Sequence, residues 1–164
     1  MADRKPKGTI SQAPDFALLV VGASRPVAER LNAAVAAAGI DDMRTPYGFV
    51  IRALARAPLG LTELAEYLGV TKQAAIKVVD EMESLGFLER RPDPANRRAK
   101  ILVLSDRGRR VRRTALAASR QMERELRRDL GDDQVDAFRA VLTHFLERHD
   151  ALGDAVAGRA RALW

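Results

Sequence analysis

No cysteine occurs in the 164 residues, and that absence closes several routes. A disulfide scaffold, a cysteine-based zinc ribbon and a thiol oxidant sensor all need sulfur that this chain lacks. Histidine is scarce as well. His144 and His149 are the only two, and their i,i+5 spacing is poor for a shared metal site on one helical face. The chain has no Ser or Cys nucleophile motif, no phosphate-cradling loop and no metal-ligand pattern. It therefore reads as a non-enzyme, with no metal and no cofactor expected. Long apolar runs are missing too: none approaches the roughly 18 residues that span a bilayer. The opening MADRKPKG is polar and has no apolar signal-peptide core. The expectation is a cytoplasmic protein with no membrane partner.

A 47% hydrophobic fraction is enough for a real core, and the length suits one domain or one domain with a helical dimerisation extension. Lys and Arg number 28 against 22 Asp and Glu, a net charge of +6. The sequence pI is near 10.3, a balance that suits a polyanionic partner without naming one. Arg outnumbers Lys, which favours bidentate phosphate and guanine contacts. A high-GC coding sequence also enriches Arg and Ala, so the bias alone decides nothing.

The informative stretch runs from Leu61 to Leu104. Leu61, Leu64, Ala65 and Leu68 recur at helical spacing, and Gly69 offers a left-handed stop. Val70 is expected to turn back toward a core, and Thr71 to N-cap a second helix. In that helix Ala75, Ile76, Val79, Met82 and Leu85 are the buried candidates, while Lys72, Gln73, Lys77, Asp80, Glu81 and Ser84 fall mainly outside. Gly86 ends it. Residues 87–91 read as a short strand. Ile101 and Val103, less regularly Leu102 and Leu104, give another, with a turn-rich basic loop between. Two helices joined by a Gly-containing turn form a helix-turn-helix, and the basic hairpin behind it adds a wing. The expected fold class is mainly α with a small β-hairpin, a winged helix-turn-helix with flanking N- and C-terminal dimerisation helices.

Over these residues, LTELAEYLGVTKQAAIKVVDEMESLGFLERRPDPANRRAKILVLSDRGR, the chain resembles the winged helix-turn-helix of MarR-type (multiple antibiotic resistance regulator) transcriptional regulators. The likeness is densest in the LGV turn, LGFLERR, DPxxRRAK and LSDRGR, and extends more weakly over roughly residues 14–148. The family wing commonly carries Asp-x-Arg; here it is Asn96-Arg97-Arg98, an amide in place of the acid. Asn96 can accept a hydrogen bond but cannot form an ion pair.

Around this unit the chain divides into an arm (1–13), a regulator domain (14–149) and a tail (150–164). Within the domain a DNA-binding lobe spans about 45–104, and dimerisation helices span about 14–38 and 105–149. Asp15 can cap the first helix. Pro26 either kinks that helix or splits it in two, with Ser24 able to restart it. Thr45-Pro46 reads as an N-cap followed by Pro at the first helical position. Ser105 can cap a long helix to about Leu130 with a seam of Val111, Ala115, Ala118, Met122, Leu126 and Leu130. Its Arg107, Arg109, Arg110, Arg112 and Arg113 are either phosphate contacts or a solvated face. Gly131-Asp132 marks a break, and Val135, Phe138, Val141, Leu142, Phe145 and Leu146 line a last helix too apolar on one face to stand alone.

Backbone anchoring is expected from Thr62 and the wing Arg residues. Base readout is expected from Thr71, Lys72, Gln73, Ala74 and Lys77, since Gln pairs with adenine, Lys with guanine, and an Ala methyl meets thymine. Arg97 and Arg98 would enter the minor groove, where Arg is favoured. The uncovered apolar faces of 14–38 and 132–149 call for a second copy, hence a pseudo-palindromic double-stranded DNA site. The resemblance implies the same interlocked homodimer. It also implies a small, often aromatic, acid bound between dimerisation helices and lobe, with Tyr47, Arg52 and His144 as pocket candidates against a plain packed core. The expected function is a sequence-specific DNA-binding transcriptional regulator, a homodimeric repressor modulated by a small molecule. The alternative is a winged-helix protein-interaction module or nonspecific DNA-binding protein, kept in view by Asp80, Glu81 and Glu83 on the second helix.

Overall fold

Leu, Ala and Val at helical spacing, punctuated by glycine, make the described residues mainly helical. The computed structural model describes residues 15–96, 98–149 and 151. The elements run α1 (Phe16–Ala37), α2 (Thr45–Leu54), β1 (Leu59–Gly60), α3 (Leu61–Leu68), α4 (Lys72–Ser84), β2 (Leu88–Pro92), β3 (Lys100–Leu104), α5 (Asp106–Leu130) and α6 (Asp132–Arg148). The strands form one antiparallel sheet in the order β1-β3-β2. The expected arm, the tail from Leu152 onward, Asp150 and Arg97 lie outside the described residues.

Asp15 caps α1 by accepting the Ala17 amide at 2.8 Å. Pro26 sits inside this helix without splitting it. Of the two readings of the sequence, the single helix is the one found, and Ser24 does not restart it. Its hydroxyl donates to the Val21 carbonyl at 2.6 Å, a bond back into the preceding turn. Proline cannot donate to the Gly22 carbonyl. That stretch of α1 is exposed in the single chain, so the freed carbonyl is not sealed in a core. The start of α2 also differs by one residue: Arg44 is the N-cap, in extended backbone, and Pro46 falls within the first helical turn behind Thr45.

Gly69 takes φ +65° and closes α3, and Val70 donates its amide to the Ala65 carbonyl at 3.1 Å. This return bond aims the Val70 side chain outward. It is 41% exposed rather than turned into the core. In β3 the inward residues are Leu102 and Leu104, not Ile101 and Val103. The register explains the face. Leu104 pairs with buried Leu88, and Leu102 with Arg90, so these residues share the core side of the pleat. The short strand β1, absent from the sequence reading, pairs Leu59 with Leu102. Two residues are too few to show periodicity.

The core draws on every element of the lobe: Val35 and Ile40, Tyr47, Val50 and Ile51, Leu64, Val79 and Met82, Phe87 and Leu88, Leu102 and Leu104, and Val111 from α5. Ser105 knots the wing to α5. Its hydroxyl accepts the Gly108 amide at 3.1 Å and donates to the Gly86 carbonyl at 2.5 Å. Arg107 adds a second tie. It donates twice to Asp42 at 3.0 Å, donates to the Leu85 carbonyl, and lies 4.6 Å over the Phe87 ring. One side chain thus joins α5, the α1–α2 linker and the end of α4. Arg107→Ala is expected to cost about 1–2 kcal/mol through these bonds and the lost cation–π contact. Urea denaturation checks this; an unchanged midpoint would show that the three segments hold without it.

At the other end of α5, Arg127 donates to Glu123, Asp132 and Asp136 at 2.7–3.1 Å and ties α6 down. The hydrogen bond from Arg127 holds the Asp136 carboxyl below the usual carboxylate range. Only Val135 of α6 is buried. Phe138, Val141 and Phe145 stay exposed, as do Leu126 and Leu130 of α5 and Phe16, Leu18, Leu19 and Val21 of α1. The rings of Phe16 and Phe145 approach to 6.3 Å, so the start of α1 meets the end of α6. No helix among the described residues is long and apolar enough to cross a membrane.

Candidate nucleic-acid interface

The first turn of α4 is built by its cap. Thr71 holds extended backbone and accepts the Ala74 amide on its hydroxyl at 3.2 Å. Ala75, Val79 and Met82 point inward. Gln73, Lys77, Asp80 and Ser84 therefore form the outward stripe, at spacings of four, three and four. Thr71, Lys72, Gln73 and Lys77 are exposed, and Ala74 is half-buried. Thr62 is exposed in the first turn of α3. That helix starts with the Glu63 carboxylate accepting the Gly60 amide at 2.7 Å. Gly60 has no side chain to return the bond.

The acidic half of the α4 stripe does not stand free. Arg90, from the core side of β2, donates to Asp80 at 2.6 Å and is ion-paired with Glu83. Glu81 pairs with Arg44. These acids brace the helix against the wing and the linker, leaving the amide and amine groups of its first half as its open polar surface. Arg90 was not singled out from the sequence. The signal was present in the alternation of β2, which sets Arg90 on the same side as Leu88.

The wing is a bonded turn. Asp93 accepts the Ala95 amide at 2.8 Å, and Asn96 accepts the Arg98 amide on its side-chain oxygen at 3.1 Å. Backbone bonds from Asn96 to Asp93, Ala99 to Asn96 and Asp93 to Ala99 close it. Asn96 thus orders the Arg98 backbone, as an amide oxygen can. Arg98 itself is exposed; Arg97 is outside the described residues.

The Arg run of α5 separates by position. Arg107 is inward. Arg109 donates to the Leu104 carbonyl at 2.6 Å and to Asp106 at 2.7 Å, and Arg110 donates to the Ala38 carbonyl at 3.0 Å. That bond from Arg109 draws the Asp106 carboxyl below its usual range. Neither a pure phosphate surface nor a solvated face describes this run.

A cleft of about 360 Å³ opens between α1, α2 and α5, lined by Leu31, Val35, Ile51, Arg52, Arg56 and Arg112 among others. Of the three pocket candidates only Arg52 lines it. Tyr47 is 1% exposed, with its ring 5.9 Å from that of Phe87, and burial pushes its hydroxyl pKa up. It is a core residue. His144 lies exposed on α6 and does not line the cleft. Tyr47 starts a helix but faces inward, and the helical spacing of Tyr47, Val50, Ile51 and Leu54 already placed it on the apolar stripe.

Two helices around a left-handed glycine, a polar first turn on the second, and a bonded hairpin behind them define a winged helix-turn-helix protein. Residues 41–99 match the model described as MarR family, and that segment carries the helix-turn-helix and the wing. Solved structures agree. The transcriptional regulator Tm0710 from Thermotoga maritima is 26% identical, covers 83% of this chain and 96% of its own, and superposes with a TM-score of 0.59. The transcriptional repressor CouR, bound to a 23-mer DNA duplex, is 27% identical, with 87% and 99% covered and a TM-score of 0.60. The Mycobacterium tuberculosis MarR family protein Rv2887, in complex with salicylic acid, shares the fold at 23% identity, 83% and 99% coverage and a TM-score of 0.58. No curated protein matches the sequence.

Proposed function

We propose that this chain is a sequence-specific, homodimeric DNA-binding regulator acting as a cytoplasmic repressor, released or tightened by a small aromatic acid. The observation that carries the reading is the first half of α4. Thr71, Lys72, Gln73 and Lys77 are presented together by a capped helix start, while the acids of the second half are tied back by Arg90 and Arg44. Lys72 and Gln73 read bases, Thr62 and Arg98 meet phosphate or the minor groove, and Ala74 offers a methyl at the edge. Arg97 belongs to the same proposal on its sequence position alone. A DNA duplex on CouR supports the partner class.

Two lobes are needed to read a site with half-sites ~34–36 Å apart. The exposed apolar residues of α1, α5 and α6 offer the surface on which two chains meet. The cleft supplies the control point, and Arg52, Arg56 and Arg112 at its wall suit a carboxylate. Salicylic acid on Rv2887 supports that ligand class. A protein-interaction module is the weaker reading, because the acids that would favour it on α4 are already paired.

Selection of random duplexes by gel shift at physiological salt, with the complex sized, tests this. An enriched pseudo-palindrome bound by two chains is expected. Lys72→Ala combined with Gln73→Ala should then weaken the selected site by roughly a hundredfold and random DNA far less, at ~1–3 kcal/mol per lost base contact. Equal loss on both DNAs would sink base readout by this pair.

A further inference from the structure

Among the described residues, the exposed large apolar side chains belong to α1, α5 and α6, with one exception. The exception is Val70, in the turn between α3 and α4. The others share their helices with the surface proposed for a second chain. Val70 lies on the lobe that carries α4, so that surface does not account for it.

The turn holds Val70 in place. Gly69 takes φ +65°, and the Val70 amide is committed to the Ala65 carbonyl at 3.1 Å. On the other side Thr71 accepts the Ala74 amide at 3.2 Å. The backbone is therefore ordered before any partner arrives, and a β-branched side chain has few rotamers to lose on contact. A residue just ahead of an N-cap often packs on the fourth residue of its helix. Here that residue is Ala75, which offers a single methyl and is itself fully buried, and Val70 stays 41% exposed.

Thr71, Lys72 and Gln73 follow directly and are exposed as well. Valine has no donor or acceptor, so it adds nothing to hydrogen-bond readout. The apolar feature that base edges present in a major groove is the 5-methyl group of thymine. Ala74 is the other apolar side chain at this helix start, but it is half-buried and one carbon long.

We infer that Val70 is a specificity-determining residue, packing on a thymine methyl in each half-site beside the bases read by Lys72 and Gln73. The inference rests on the DNA-reading role proposed above for α4. It makes Val70, ahead of Ala74, the thymine contact of this turn.

The test is a cycle between a methyl on the protein and a methyl on the DNA. The full chain and its Val70→Ala variant are titrated by fluorescence anisotropy against the duplex selected by gel shift. Companion duplexes carry deoxyuridine in place of thymidine at one half-site position at a time. Uracil pairs as thymine does and lacks only the 5-methyl group. At one position uracil should weaken wild-type binding about fourfold, the effect of one buried methyl group. Val70→Ala should weaken binding to the thymine duplex by at least that factor and should bind the uracil and thymine duplexes equally. An unchanged urea midpoint shows that the variant is folded. A uracil effect that persists in Val70→Ala would assign the methyl to another side chain and overturn the inference. So would a selected half-site at which no uracil substitution weakens wild-type binding, with the reading of α4 left standing. If no sequence is selected at all, that reading falls and the Val70 contact falls with it.

Discussion

Gly108→Ala is expected to destabilise the protein by about 3 kcal/mol, the upper part of the range for forcing atoms into a packed interior. Helix propensity alone predicts the opposite sign, because Ala in a helix is better than Gly by roughly 1 kcal/mol. The surroundings decide. A Cβ on Gly108 would sit 2.1 Å from the Phe87 carbonyl oxygen and 3.1 Å from Leu104 Cδ2. The first of these is backbone held by its own bond, since the Ser105 amide donates to that same carbonyl at 3.1 Å. Relief requires α5 to lift off the start of the wing, which also breaks the Ser105 knot. Gly48→Ala is the matched control: it lies inside α2 with nothing within 4 Å of the added carbon. It should be neutral or stabilise by up to about 1 kcal/mol. Urea denaturation of both variants compares them directly. Equal midpoints would mean that α5 can shift freely against the wing.

The second large effect concerns the uncovered apolar face. For the proposed homodimer, Leu19→Asp should give a monomer and lower affinity for the selected DNA site by on the order of a hundredfold or more, the penalty of losing the second, linked half-site. Leu19 is 54% exposed in the single chain, so the substitution removes little from that chain's own core. In a dimer formed on this face the same carboxylate would be desolvated on an apolar helix surface without a partner, which costs several kcal/mol. Light scattering after size exclusion gives the mass, and gel shift on the selected site gives the affinity. A Leu19→Asp protein that remains dimeric and binds unchanged would move the interface away from α1.

Much of this protein was legible from local chemistry. The caps at Asp15, Thr71 and Ser105 were visible because a short polar side chain ahead of an apolar helical pattern has one common use. Gly69 and Gly86 were visible as stops because both take positive φ, which few other residues tolerate. The polar start of α4 followed from helical periodicity, which sorts inner from outer residues without knowing what lies inside.

Tertiary structure decided the matters that depend on which distant segment arrives opposite. The inward face of β3 was set by pairing with Leu88, because four consecutive apolar residues carry no alternation of their own. Val70 turned outward once its amide was committed to closing α3. Arg107, Arg109, Arg110, Arg112 and Arg113 look alike in sequence. The first three separate into a latch, a cap and a linker tie only when the α1–α2 linker and the wing are brought beside α5. Likewise Tyr47 and His144 could share a pocket on paper, yet the fold buries one and leaves the other on a separate helix. Sequence alone determined where helices start, stop and face. Partners for charged side chains and cavities between elements came from three-dimensional packing, because both arise from contacts tens of residues apart that no local pattern encodes.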